Sequence, residues 1–240
     1  MSSGSTQLKE REALVLRHIA RYRLTFQEVL SALYFEGKSP QKVLSGLLTR
    51  ELLGTFQTEG FQRKRRGYVL TENATALLGV PRSRANELKG QAVPEQLARF
   101  SYCYLSGRSC CYVEPKEAPF DWGEAFGKNR YLSLVVRECF GGHALDLVTL
   151  VGERTRKSSC KDRLATLQER VKETDELRAF AESGHLQIVL IGQTPARRDH
   201  IAAWLEDQEW SEVVAGPCPV AAVHVPWLDE LEEALRRVVA

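Results

Sequence analysis

The chain has 240 residues, 43% of them apolar, and a formal net charge of +2. That supplies material for two ordinary cores, and no apolar run approaches the ~20 residues a bilayer crossing needs. The charge is unevenly placed: residues 1–90 hold 15 Lys and Arg against 8 Asp and Glu, a net of +7, while the remainder holds 18 against 23, a net of −5. A basic module joined to an acidic one confines polyanion binding to the first part and leaves the second for solubility or protein contacts.

Met1 to Thr6 lack the apolar centre of a signal peptide, so a cytoplasmic protein is expected. Leu8, Val15, Leu16, Ile19 and Tyr22 then form one apolar stripe opposite Lys9, Glu12, Arg17 and Arg21, predicting a first helix that packs rather than binds. Thr25 with Glu28 three residues on predicts a capping box opening a second helix, ended at Gly37. Ser39-Pro40 predicts the cap and first position of a third helix, and Gly54 supplies a left-handed end.

Within that third helix Val43, Leu44, Leu47, Leu48 and Leu52 share one side, which turns Lys42, Ser45 and Thr49 outward. A helix inserted in a DNA groove needs short side chains to approach base edges and donors to bond bases or phosphates. Ser39, Gln41, Lys42, Ser45, Thr49 and Arg50 are therefore the candidate DNA contacts here, although the same composition also suits a solvated face. Next come two short strands, Thr55 to Gln57 and Tyr68 to Leu70, enclosing four consecutive cations, Arg63, Lys64, Arg65 and Arg66. At a hairpin tip such a run neutralises phosphates or enters the minor groove. A helix from Thr71 to Leu78 completes the order expected of a winged helix-turn-helix over residues 7–80.

Residues 81–94, with Pro81, Gly90 and Pro94, lose periodicity and read as a linker. Residues 95–240 read as an α/β domain with a mixed sheet: a helix over Glu95 to Leu105, a strand at Cys110 to Val113, a hairpin of Tyr131 to Arg137 and Ala144 to Val151 around Gly141-Gly142, and a long helix from Asp162 to Glu182. A buried strand from His185 to Gly192 follows, then a helix capped at Thr194-Pro195, a strand from Val220 to Val225 and a last helix from Trp227 to Val239. The stripe Leu228, Leu231, Leu235, Val238 on that last helix reads as docking on the sheet, or alternatively as the seam of a homodimer binding two-fold related half-sites.

The phrases Leu8-Lys9-Glu10-Arg11-Glu12, Tyr68-Val69-Leu70-Thr71-Glu72-Asn73-Ala74-Thr75-Ala76-Leu77-Leu78 and Leu177-Arg178-Ala179-Phe180…Gly184-His185-Leu186-Gln187-Ile188-Val189-Leu190 resemble the replication-relaxation family. The resemblance covers most of the chain and is weak between Glu114 and Arg130. It implies a protein of plasmids and integrative elements, with an N-terminal winged helix, a C-terminal domain similar to restriction-endonuclease folds, and a role in plasmid replication, mobilisation or their control.

A nuclease of that type needs an acid at one strand end and Glu-x-Lys on the next to hold a divalent cation and stabilise charge. The only compact Glu-x-Lys, Glu114-Pro115-Lys116, has proline where a strand should continue. Glu138 and Asp146 are the alternative acids, but no second carboxylate or lysine follows Asp146, and Val151-Gly152 stands where family members tend to end this strand in an acidic residue. Tyr22 and Tyr34, the tyrosines a relaxase-type nickase would use as nucleophile, are better explained by packing. No GxSxG, no P-loop motif and no CxxC pairs occur, so no cofactor and no metal site is expected, and the six cysteines read as reduced, mostly buried thiols. Arg154, Arg156, Lys157 and Lys161, with Arg197 and Arg198, form basic clusters that suit solvated surface or an extended DNA footprint. The expectation is a non-enzymatic, sequence-specific protein of double-stranded DNA, with a metal-dependent nickase and a pure protein-interaction module as the alternatives.

Overall fold

The computed structural model describes residues 8–57, 66–86, 88, 92–105, 110–127, 132–139, 142–225 and 230. The protein is mixed α/β with a mixed sheet. The described residues up to Gln96 belong to one compact unit and those from Leu97 to Val225 to a second.

The first unit opens with α1 (Glu10–Tyr22), whose Val15, Leu16, Ile19 and Tyr22 are buried, and ends at Arg23 in a left-handed conformation with φ 65. A side chain other than glycine is disfavoured there. The guanidinium of Arg23 compensates by donating to the carbonyls of Ser83 and Asn86, both at 3.2 Å.

The expected capping box at Thr25 does not form. Thr25 and Phe26 are a short strand, β1 (Thr25–Phe26), paired antiparallel with Tyr68 and Gly67, and α2 (Gln27–Tyr34) starts without a side-chain cap. The Thr25 hydroxyl is fully buried and lies 3.1 Å from His18 Nε2, while His18 Nδ1 lies 3.1 Å from the Tyr34 hydroxyl. Burial pushes the His18 imidazole down to about 3 from 6.5. The folded unit therefore keeps His18 neutral where the unfolded chain would protonate it, so stability is complete above about pH 6.5 and falls as the pH drops. At ~1.4 kcal/mol for each pH unit, the loss from this group reaches about 2 kcal/mol near pH 5. Proton NMR should show a His18 ring signal that stays constant down to about pH 5 in the folded protein, and titration near 6.5 would overturn the buried neutral state.

After a left-handed turn at Glu36 and Gly37, the Ser39 hydroxyl accepts from the Gln41 amide at 3.3 Å and α3 (Gln41–Thr49) follows. Its left-handed closure falls at Glu51, with φ 52, rather than at Gly54. Gly54 lies instead in β2 (Leu53–Gln57), where an added Cβ would stand 3.3 Å from Val69 Cγ2. β2 pairs with β3 (Arg66–Leu70) in register Leu53↔Leu70 to Gln57↔Arg66, giving the sheet order β1-β3-β2. Thr71 then caps α4 (Glu72–Leu78), accepting from the Ala74 amide at 3.3 Å, and Gly79 closes it at φ 64. Leu16, Ile19, Leu30, Leu44, Leu47, Leu53 and Leu70 form the core of the unit.

The expected linker carries regular structure. Residues 82–85 make a 3₁₀ turn, and α5 (Ala92–Leu105) begins before the expected Glu95. In the second unit β4 (Cys110–Val113), α6 (Trp122–Phe126), β5 (Leu132–Cys139) and β6 (Gly142–Val151) lead to two helices, α7 (Lys157–Glu173) and α8 (Asp175–Glu182). The single helix expected from Asp162 starts at Lys157 and breaks at Thr174. The reason is a phase jump. Leu164, Leu167 and Val171 are followed by Leu177 and Ala181, and the gap of six from Val171 to Leu177 fits no continuous 3.6-residue stripe, so both sets are buried only if the helix breaks between them.

β7 (Leu186–Gly192), α9 (Pro195–Glu206), α10 (Ser211–Val214) and β8 (Val220–His224) complete the described elements. The sheet runs β4-β5-β6-β7-β8, antiparallel through β6 and parallel from β6 to β8. β7 is a nearly unbroken apolar run because it is buried between two parallel neighbours. One sheet face, with Leu134, Leu147, Ile188 and Leu190, packs on residues of α6 to α10, and Trp210 is wholly buried among them. α5 lies on the other, where Arg99 bonds Ser133 at 2.8 Å and stands 4.3 Å over the Tyr112 ring. The buried Gln168 amide both donates to the Cys218 carbonyl, at 2.7 Å, and accepts from its amide, at 3.1 Å, which fixes the turn entering β8. Among the described residues no helix is long and apolar enough to cross a membrane.

Candidate nucleic-acid interface

The outward face of α3 is set by what its other face must bury. Leu44 and Leu47 have no exposed surface, Val43 and Leu48 are half-buried, and Gln41, Lys42, Ser45 and Thr49 are exposed as helical spacing dictates. The polar groups are small and partly pre-arranged. Gln41 Nε2 lies 3.4 Å from Ser45 Oγ, and the Thr49 hydroxyl donates to the Ser45 carbonyl at 3.0 Å. Ser39 is exposed beside them. No acidic residue occurs in the helix.

Arg50 behaves differently from the other candidates. Its guanidinium is 2.9 Å from Glu12 Oε2, in a partly buried pair joining the end of α3 to α1. Burial opposes ionisation of Glu12, but the Lys9 amide and Arg50 outweigh it and hold this carboxyl below its ordinary range. Arg50 thus anchors the helix. Of the four hairpin cations, Arg66 is exposed with its guanidinium 5.8 Å from the Tyr68 ring centroid, and Arg63, Lys64 and Arg65 lie outside the described residues. The helix expected over Trp227 to Val239, with its docking or dimer stripe, also lies outside them save for Glu230.

In the second unit the two candidate acids diverge. Glu138 is paired in register with His143, three residues from Asp146, and successive strand residues alternate between faces. Glu138 and Asp146 therefore project from opposite sides of the sheet. Glu138 is exposed, whereas Asp146 is wholly buried and accepts from the Tyr102 hydroxyl at 2.7 Å, Gln187 Nε2 at 2.7 Å and Arg137 Nε at 3.2 Å. Glu114-Pro115-Lys116 is not on a strand; Pro115–Glu117 is a 3₁₀ turn capped by Glu114. Tyr22 stacks near His18, with ring centroids 5.1 Å apart, and Tyr34 bonds it, so both tyrosines serve packing. Among the described residues no group of three or more His, Cys, Asp or Glu side chains is placed to hold a metal ion.

The basic clusters are largely engaged within the unit. Lys157 pairs with Asp207 and Glu209, and Arg198 with Asp199. Arg197 is buried, donating to the Thr155 carbonyl beneath the Trp204 ring. Arg154 and Arg156 are exposed. Cys103, Cys160 and Cys218 are buried free thiols, and burial pushes Cys160 to about 11 and Cys218 to about 12; Cys110 is half-buried and Cys111 exposed. Adjacent positions on β4 point this pair to opposite sides of the sheet.

His18, the Glu12–Arg50 pair and the partners of Asp146 were not singled out from the sequence. A histidine on the apolar side of α1 was the one available signal, since i to i+1 to i+4 spacing places His18 beside Ile19 and Tyr22. The chain matches no family model, and it matches neither a curated protein nor a solved structure. The replication-relaxation likeness rests on its residue phrases.

Proposed function

We propose that this protein binds double-stranded DNA sequence-specifically through a winged helix in its first unit, with α3 as the groove helix and the β2–β3 hairpin as the wing. The observation that carries the reading is the exposed, acid-free face of Gln41, Lys42, Ser45 and Thr49 on α3, in a unit ordered α1-β1-α2-α3-β2-β3 with the sheet order β1-β3-β2. Short donors on such a face reach base edges, and cations on the following hairpin supply sequence-independent affinity. From the resemblance of its residue phrases to the replication-relaxation family, we place the function on a mobile genetic element, as a transcriptional regulator or an accessory factor at a replication or transfer origin.

The role is non-enzymatic. Metal-assisted cleavage of a phosphodiester needs carboxylates converging on one cation, and Glu138 and Asp146 diverge while Asp146 is saturated by Tyr102, Gln187 and Arg137. The second unit, with a sheet whose antiparallel hairpin continues into parallel strands, then serves as a scaffold for protein contacts.

The full chain titrated into a fluorescent duplex should show a binding constant whose logarithm falls linearly with the logarithm of salt, with a slope of about −0.9 for each phosphate neutralised. Absence of duplex binding at low salt would defeat the proposal.

A further inference from the structure

We infer that Gly46 marks the place where α3 comes closest to the floor of the major groove of B-form DNA, so that this glycine is a specificity-determining residue; the inference rests on the interface proposed above. Glycine is among the least favourable residues inside a helix, and a helical glycine calls for a reason. At five other glycines among the described residues the reasons are internal. Gly37, Gly79 and Gly184 have positive φ, a Cβ at Gly192 would fall 2.4 Å from the Arg198 amide nitrogen, and one at Gly216 would fall 2.5 Å from Gln168 Cδ.

Gly46 has no such reason. It sits in the interior of α3, is not among the positive-φ residues, and a Cβ built on it meets nothing within 4 Å. Neither the backbone nor the packing of this chain forbids a side chain there. Helical spacing places it four residues after Lys42 and three before Thr49, on the flank of the outward face, where it is half-buried beside them. The missing Cβ therefore opens room for something outside the chain.

Charge selects the occupant. The helix has no acid, and residues 1–90 carry a net of +7, which calls for a polyanion. Of the duplexes, B-form DNA has a major groove that admits a helix, whereas the deep, narrow groove of A-form RNA does not. Lys42, Ser45 and Thr49 bear short or flexible groups, and a hydrogen bond weakens quickly beyond its normal length. A methyl group on the flank beside them would hold the helix, and with it all three, back from the base edges.

The test uses the full-length chain. A duplex is first selected by the wild-type protein from a random library, and affinities for it and for a random-sequence duplex are read by fluorescence anisotropy alongside the melting temperature of the free protein. Gly46→Ala should raise the melting temperature by a few degrees through helix propensity. It should also weaken binding to the selected duplex by roughly tenfold or more, while binding to the random-sequence duplex changes little. Thr166→Ala, at an exposed interior position of α7 in the second unit, should leave both affinities unchanged. The inference is overturned if Gly46→Ala keeps wild-type affinity for the selected duplex, if it weakens both duplexes equally, or if it lowers the melting temperature. A wild-type chain that binds no duplex would overturn the interface itself, an outcome distinct from these three.

Discussion

Asp146→Ala is expected to destabilise the second unit by ~3–5 kcal/mol, the usual cost of breaking a buried ion pair from one side. The carboxylate has no exposed surface and gathers donors from three elements, Tyr102 on α5, Arg137 on β5 and Gln187 on β7. Removing it takes the charged acceptor from the Tyr102 hydroxyl, in a side chain almost fully buried, and leaves Arg137 with about a quarter of its side chain in water to recover hydration. Asp146→Asn keeps the shape and one acceptor oxygen, so its loss should be smaller. Urea denaturation followed by tryptophan fluorescence reports this unit through Trp122, Trp204 and Trp210. A change below about 1 kcal/mol for the alanine variant would show that the cluster does not hold α5 to the sheet.

The largest expected effect on binding comes from replacing Arg63, Lys64, Arg65 and Arg66 together by alanine. Each cation on a phosphate adds about 0.9 to the salt slope, so the variant should lose about 3 to 4 from that slope and on the order of a hundred- to a thousandfold in affinity near physiological salt. Folding should not change, because Arg66 is exposed and the run follows β2 in sequence without contributing an apolar residue. Sequence preference should persist at low salt, since Lys42, Ser45 and Thr49 remain. A variant with the wild-type slope and affinity would remove the wing from the interface.

Most element positions in this chain were legible because their signals are local. The Thr71 and Thr194 caps, the apolar β7 and the hairpin of β5 and β6 all follow from residues within a few positions of one another. The break at Thr174 was not read from the sequence, because residues 162–182 are mostly good helix formers and the gap from Val171 to Leu177 is its one local sign. The outward face of α3 could be read because the leucines opposite leave it no other orientation.

The sequence by itself determined the order of most helices and strands, the partition of charge and the face of α3 turned to solvent, since hydrophobic period and helix-end chemistry act over a few residues. Only the tertiary structure decided which polar groups remained available. Thr25 was drawn into pairing with Tyr68, Arg50 to Glu12 and Arg197 to the Thr155 carbonyl, because each found a partner distant in sequence. Strand register likewise sent Glu138 and Asp146 to opposite faces, a result of pairing across the sheet that no local pattern encodes.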